Sequence, residues 1–145
     1  MASWWKTTLA KTSTLGRHHT CSIHNILPKK IQKNKICQAP VSLIDIYPTL
    51  VDLAGISKKE DLDGESLLDL LKNPSMKRDR SVLSTYGKGN HAVRSENWQY
   101  IQYRDGSNEL YNHDNDPNEW YNLSENSNYK GVIERLKKII PLHEK

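Results

Sequence analysis

The stretch Pro40–Gly55, Pro-Val-Ser-Leu-Ile-Asp-Ile-Tyr-Pro-Thr-Leu-Val-Asp-Leu-Ala-Gly, constrains this chain more than any other. It is the most apolar segment of a chain in which only 36% of residues are hydrophobic. Ile46, Leu50 and Leu53 recur at helical spacing, and Ile44, Tyr47, Val51 and Ala54 widen that face. Asp45 is placed to cap the helix start, because a carboxylate accepts from the first free N–H groups. Pro48 falls in the first turn, where its missing N–H costs little. Gly55 ends the helix, since glycine enters the left-handed cap without strain. The rest of the chain is expected to pack around this helix.

At 145 residues the length allows one domain with one core. Phe is absent, so aromatic burial falls to Tyr and Trp, whose polar tips need partners. A thin core that leans on something else is the expectation. Charge is uneven. No Asp or Glu precedes Asp45, whereas Lys6, Lys11, Arg17, Lys29, Lys30, Lys33 and Lys35 do. Such a start fits a transit peptide, a nucleic-acid arm or simply an irregular end. No apolar run follows the early lysines as a secretory signal would require, and no stretch approaches the ~20 apolar residues of a membrane-spanning helix.

Cys21 and Cys37 are too few for a disulfide framework, and neither lies in a Cys-x-x-Cys pair. Cys21 with His18, His19 and His24 has the ligand chemistry of zinc, but no second ligand pair follows at finger-like spacing.

Residues 1–39 show no periodicity and are expected to be irregular. Gly64–Lys72 reads as a short amphipathic helix ended by Asn73-Pro74. Ser81–Tyr86, His91–Ser95, Trp98–Arg104 and Glu109–Asn112 read as strands, with Asp105-Gly106 as a hairpin turn. Asp116-Pro117-Asn118-Glu119 has the pattern of a helix start. Ser127–Ile140 carries Tyr129, Val132, Ile133, Leu136, Ile139 and Ile140 on one side, as a last helix would. The order indicates an α+β fold: a small antiparallel sheet of three to four strands packed with helices.

Four stretches together resemble the type I sulfatases of the alkaline-phosphatase superfamily, in particular the iduronate- and choline-sulfatase-like members. They are Val41–Leu50, Leu62–Leu67 (Leu-Asp-Gly-Glu-Ser-Leu), Ala92–Ile101 (Ala-Val-Arg-Ser-Glu-Asn-Trp-Gln-Tyr-Ile), and Glu109-Leu110-Tyr111 leading to Asp116–Leu123. The likeness covers about residues 40–141 and concerns the C-terminal third of such an enzyme. It implies that residues 40–145 are a C-terminal sulfatase region and residues 1–39 a remnant of the catalytic domain. Helix 45–54 would then sit at the edge of that domain and expose, in a fragment, the side it once covered. Poor solubility follows as an expectation.

The resemblance also implies chemistry. Ser3-Trp4-Trp5-Lys6-Thr7-Thr8-Leu9 is similar to the family segment whose lysine contacts the sulfate ester, which makes Lys6 the catalytic candidate. His91, next to Asn90, is the substrate-binding candidate, against the plainer reading of a surface histidine at a strand start. Arg94 and Arg104 suit anions, or solvent and glutamate partners. From Leu15 to Ile31 the likeness fails, which points to a frameshift or a decayed gene, readable in the alternative frames of the DNA.

The family uses an oxidised Cys or Ser, formylglycine, in a Cys/Ser-x-Pro-x-Arg motif, and one calcium ion. Cys21 is followed by Ser-Ile-His-Asn and Cys37 by Gln-Ala-Pro-Val, so neither is that nucleophile. Asp114, Asp116 and Glu119 are better read as caps than as calcium ligands. The expectation is therefore a sulfatase C-terminal fragment, inactive alone, with no cofactor of its own and a missing catalytic part as partner. Its substrate would be a sulfated carbohydrate or a similar sulfate ester. Two rivals stand beside it: a non-catalytic module holding sulfated glycan through Lys6, His91 and Arg94, and a nucleic-acid binder using its basic arm with Trp4 and Trp5. The scattered basic residues and the lack of a recognition motif argue against nucleic acid. Family members are usually periplasmic, secreted or lysosomal.

Overall fold

The computed structural model describes residues 35–57 and 60–141. They fall into two compact units, one ending at Asp79 and the other beginning at Arg80.

The first unit holds a 3-10 turn, Leu43–Asp45, then α1, Ile46–Ala54, and a short α2, Leu68–Lys72. Asp45 sits at the N-cap position of α1, yet its side chain makes no cap bond there. Its carboxylate reaches backwards and across instead. One oxygen accepts from the Ser42 N–H at 2.9 Å, the other from the Glu65 N–H at 2.9 Å. One turn on, the Thr49 hydroxyl donates to the Asp45 carbonyl at 2.5 Å and accepts from the Leu67 N–H at 2.8 Å. Asp45 and Thr49 are both buried, as buried polar groups with full partnerships can be. Gly55 ends α1 at φ 69°, in the left-handed region, as the sequence indicates.

The expected helix over Gly64–Lys72 is confined to its second half. The amides of Glu65 and Leu67 are held by Asp45 and Thr49, not by a helical turn. Gly64 lies against the 3-10 turn so closely that a Cβ there would overlap the Ile44 carbonyl oxygen. The Leu-Asp-Gly sequence is thus a close-approach point between two backbones.

The second unit is a four-stranded antiparallel meander in the order β1 (Val82–Thr85), β2 (His91–Arg94), β3 (Trp98–Gln102), β4 (Asn108–Asn112). The α+β expectation holds, at the upper end of its strand count. Register aligns Leu83, Val93, Tyr100 and Leu110 on one face. α3 (Lys130–Lys137) adds Leu136 to this cluster, and Trp98, Leu123, Val132 and Ile133 pack around it. The Trp98 and Tyr129 rings meet at 5.3 Å and 56°, a tilted contact that supplies the aromatic burial phenylalanine would otherwise give.

Three boundaries differ from the sequence reading. β3 stops at Gln102, and the Asp105-Gly106 turn is a five-residue loop with Gly106 at φ 89°. The Ser107 hydroxyl and amide donate to Asp105, holding its carboxyl below the usual range. The last helix is split into a 3-10 turn, Ser127–Tyr129, and α3, because the Asn126 side chain caps the Asn128 amide first. Asp116-Pro117 starts a turn and no helix. The Asp116 carboxylate accepts from the Tyr121 N–H at 2.8 Å, and Glu119 at φ 57° takes a left-handed conformation that no continuing helix allows. No helix among the described residues is long and apolar enough to cross a membrane.

Gly64→Ala is expected to destabilise the first unit by about 3 kcal/mol, because backbone rather than a pliable side chain occupies the space. Hydrogen exchange at the Glu65 and Leu67 amides is the readout, and unchanged protection there would contradict the close-approach account.

Candidate functional site

The sheet face opposite α3 carries the ionisable residues. Register places Arg94 beside Gln99 and Gln99 beside Tyr111, with Ala92, Ile101 and Glu109 in the next row. His113 follows β4 directly, and Glu119 returns to it. His113 Nε2 lies 2.7 Å from a Glu119 carboxylate oxygen, with side chains only 7% and 5% exposed. A carboxylate only accepts, so this approach places a proton on Nε2. Arg94 Nη1 lies 2.9 Å from the same nitrogen. With that proton in place, Arg94 joins the group through charge. Burial lowers its pKa and the Glu119 carboxylate opposes the shift. The left-handed backbone at Glu119 is the conformational cost of bringing its carboxylate to this group.

This clamp ties the end of β2 to the loop after β4. Charges this buried and mutually compensated hold structure; they offer a substrate little access. The loop then seals the open edge of the sheet. The Asn122 side chain accepts from the Leu110 N–H at 3.0 Å, and the Leu123 N–H donates to the Leu110 carbonyl at 2.8 Å. An edge strand that would otherwise present bare donors and acceptors is covered in this way.

On the other face, His91 opens β2 and is 4% exposed. Its Nδ1 lies 3.0 Å from the Thr85 hydroxyl across the β1–β2 pair. Asn90 beside it closes the hairpin, donating to the Tyr86 carbonyl and accepting from the Arg104 N–H. Arg104 itself is in the turn after β3 and exposed. The structure therefore does not gather His91 with Arg94, which points from the opposite face. Lys6, Trp4, Trp5 and the Cys21–His18–His19–His24 group lie outside the described residues, as does the whole stretch read as a frameshift. Cys37 is a free, exposed thiol.

The first unit has a cleft of about 620 Å³ lined by Asp52, Glu60, Glu65, Asp69 and Arg78. Arg78 is ion-paired to Glu65, which leaves the lining acidic and unsuited to a sulfate. Among the described residues no group of three or more His, Cys, Asp or Glu side chains is placed to hold a metal ion. Asp114 accepts from Asn97, Asp116 from Tyr121, and Glu119 faces His113. The described donor set does not fit calcium.

The sequence reading missed the roles of Thr49, His113 and Asn122. Each is a polar residue with at least one partner 12–19 positions away, beyond any helix or strand period.

With this geometry in hand, comparisons with known proteins give the class. The family model described as N-sulphoglucosamine sulphohydrolase, C-terminal, matches residues 20–145, a longer span than the motifs alone indicate. A sulfatase of Formosa agariphila is 40% identical over 111 residues, covering 77% of this chain and 22% of its own length. Arylsulfatase K of Mus musculus is 36% identical over 109 residues, covering 65% and 20%. Among solved structures, a 2-O GAG sulfatase has a TM-score of 0.54 at 28% identity over 66% of this chain and 22% of its own. Ps i-CgsB in complex with k-i-k-neocarrahexaose has a TM-score of 0.63 at 25% identity over 77% and 26%.

These matches define a sulfatase C-terminal part. The chain belongs to the N-sulphoglucosamine sulphohydrolase C-terminal family. It spans about a fifth of the length of the curated relatives it matches. The narrower iduronate- or choline-sulfatase likeness is not what these relatives carry in their names.

Two outcomes check the clamp face. Glu119→Ala should cost about 3 kcal/mol in urea unfolding followed by circular dichroism, since it leaves Arg94 and His113 without their anion. A loss under about 0.5 kcal/mol, the scale of surface substitutions, would contradict the clamp. Burial, and then the 3.0 Å bond its hydroxyl donates to Glu109, raise the Tyr111 pKa. A phenol with a raised folded pKa lends stability that is complete below about pH 10 and is lost as pH climbs through the folded value. Tyr111→Phe should therefore flatten the alkaline fall in stability; an identical fall in both proteins contradicts it.

Proposed function

We propose that this chain serves as the C-terminal part of a sulfatase acting on a sulfated carbohydrate, and that it does not hydrolyse sulfate esters unaided. The observation that carries this reading is the coincidence of motif and fold. The four sequence stretches that resemble sulfatases are the ones that build the Asp45 lock, the Gly64 approach, the Arg94–His113–Glu119 clamp and the covered β4 edge. A family signature spent on architecture suits a part whose chemistry is supplied elsewhere. The 2-O GAG sulfatase and the oligosaccharide-bound Ps i-CgsB among its structural relatives favour a sulfated glycan as substrate class.

In this reading the nucleophile, a formylglycine, and the one calcium ion belong to a preceding catalytic part. No Cys/Ser-x-Pro-x-Arg motif occurs in the 145 residues. A positioning lysine such as Lys6 lowers a barrier only where a reacting group is present. Lys6 remains the sulfate-contact candidate; His91, the substrate-side candidate, is held against Thr85 and is only 4% exposed, so it would reach a substrate only if the β1–β2 hairpin opened.

The test is sulfate release from an aryl sulfate and from a sulfated glycosaminoglycan disaccharide. The purified 145-residue chain should release none. The same chain joined behind the preceding part of the Formosa agariphila sulfatase should release it. Unaided hydrolysis by the chain overturns the division of labour. Retention on heparin with no hydrolysis in either form favours the glycan-binding module instead.

A further inference from the structure

At one end of the sheet two turns are tied into a single surface. The turn between β1 and β2 and the turn after β3 meet at the Asn90 side chain. Its amide nitrogen donates to the Tyr86 carbonyl at 3.1 Å, and its oxygen accepts from the Arg104 N–H at 3.2 Å. The Tyr86 N–H closes the hairpin on the Asn90 carbonyl at 3.0 Å. Gly89, at φ 80°, lies against the stem of Arg104, and a Cβ there would come within 3.1 Å of the Arg104 Cβ and Cγ. Lys88 adjoins that glycine, so two cationic residues from different hairpins arrive at one place.

The side chains on this surface are not used by the fold. Tyr86 is 74% exposed, and Lys88 and Arg104 are exposed as well. Among the described residues neither cation has an ion pair. The carboxylate next in sequence, Asp105, is engaged in its own loop, where it accepts both Ser107 donors. Other cations have anionic company. Arg94 sits in the clamp with Glu119, and Arg78 pairs with Glu65. On α3, Glu134 stands three or four positions from Lys130, Lys137 and Lys138, the spacing of helix-surface partners. From Asp105 to Tyr129 the chain carries Asp and Glu but no Lys or Arg.

A sulfated sugar presents fixed anionic groups and an apolar C–H face on one rigid ring. An ammonium and a planar guanidinium held side by side suit the first. A solvent-facing phenol ring suits the second and keeps a hydroxyl for hydrogen bonding. We propose that Tyr86, Lys88 and Arg104 form a binding site for one anionic sugar unit of a sulfated glycan, its sulfate between the two cations and its ring on Tyr86. This rests on the sulfated-carbohydrate reading above and says where the glycan is gripped. His91 and Arg94 are closed into the fold, and the contact passes to the turns beside them.

The test is fluorescence polarisation of a labelled heparin tetrasaccharide with the full 145-residue chain. Lys88→Gln with Arg104→Gln removes two charges and keeps the backbone bond to Asn90. It should weaken binding at least about tenfold, the scale of one lost charge-assisted bond. Tyr86→Ala should weaken it about threefold. Lys137→Gln with Lys138→Gln takes the same charge from α3 and should change binding less than about twofold. Circular dichroism checks the fold of each variant. Lys88→Gln alone, which breaks no hydrogen bond or ion pair among the described residues, should shift binding in the same direction if the double variant misfolds. No binding by the unaltered chain, or equal losses from the hairpin and α3 variants, overturns the proposal. An oligothymidylate of matching charge that binds as tightly, and is lost in the same hairpin variant, overturns it in favour of a nucleic acid. Sulfate release by the chain joined behind the preceding part of the Formosa agariphila sulfatase is scored apart. Release there, with tetrasaccharide binding unchanged in the hairpin variant, removes the site and keeps the sulfatase reading. Selective loss of binding in the hairpin variant, with no release, keeps the site and counts against that reading.

Discussion

A buried carboxylate at position 45 does the work that regular secondary structure does in most small units. The first unit has few hydrogen-bonded helical turns, and the segment leading into α2 has amides with no helix or sheet to satisfy them. Asp45 and Thr49 accept from two of them, at Glu65 and Leu67. Unmet, each such amide would cost about 1–3 kcal/mol if kept dry. The lock therefore sets where the 60s segment can lie, and that position in turn demands glycine at 64. Aspartate, threonine and glycine are parts of one geometric solution, though they stand 15 to 19 residues apart at the extremes.

The second unit repeats the device with different groups. Asn122 takes the Leu110 amide on the outer edge of β4, and Glu119 sets its carboxylate against Arg94 and the His113 Nε2. In both units a polar side chain substitutes for a missing strand or helix. This fits a chain with no phenylalanine and a sparse apolar core: Val93, Tyr100, Leu110 and Leu136 are the buried centre of the sheet-and-helix packing. Directional bonds add specificity where apolar volume is short, and they are intolerant of substitution because a half-satisfied network is worse than none.

Strands, their order and the Asp105-Gly106 turn were legible because period-two alternation and turn chemistry are local signals. So were α1 and its Gly55 stop. Capping residues were misread wherever the pattern was real but the side chain served something else. Asp45 caps across to Glu65, and Asp116 caps a turn that Glu119 then breaks. Pattern alone cannot separate these from helix caps, since the donor they meet is chosen by tertiary structure. His113 was silent for the same reason: Arg94 becomes its neighbour only once β2 and β4 are both paired to β3, and Glu119 turns back to it through the left-handed backbone at 119.

The division between what is buried and what is exposed on α1 carries the remaining point. A lone amphipathic helix would turn polar residues to solvent on the side away from its packing partner. Here the side toward the lock bears the polar residues Asp45 and Thr49, while the side toward solvent bears leucine, isoleucine and tyrosine. The inversion is stable only because the polar groups on the inner side are fully used by backbone donors, so burying them costs little. One assignment of residues thus does both: the lock fixes the 60s segment, and it turns leucine, isoleucine and tyrosine to the outer side.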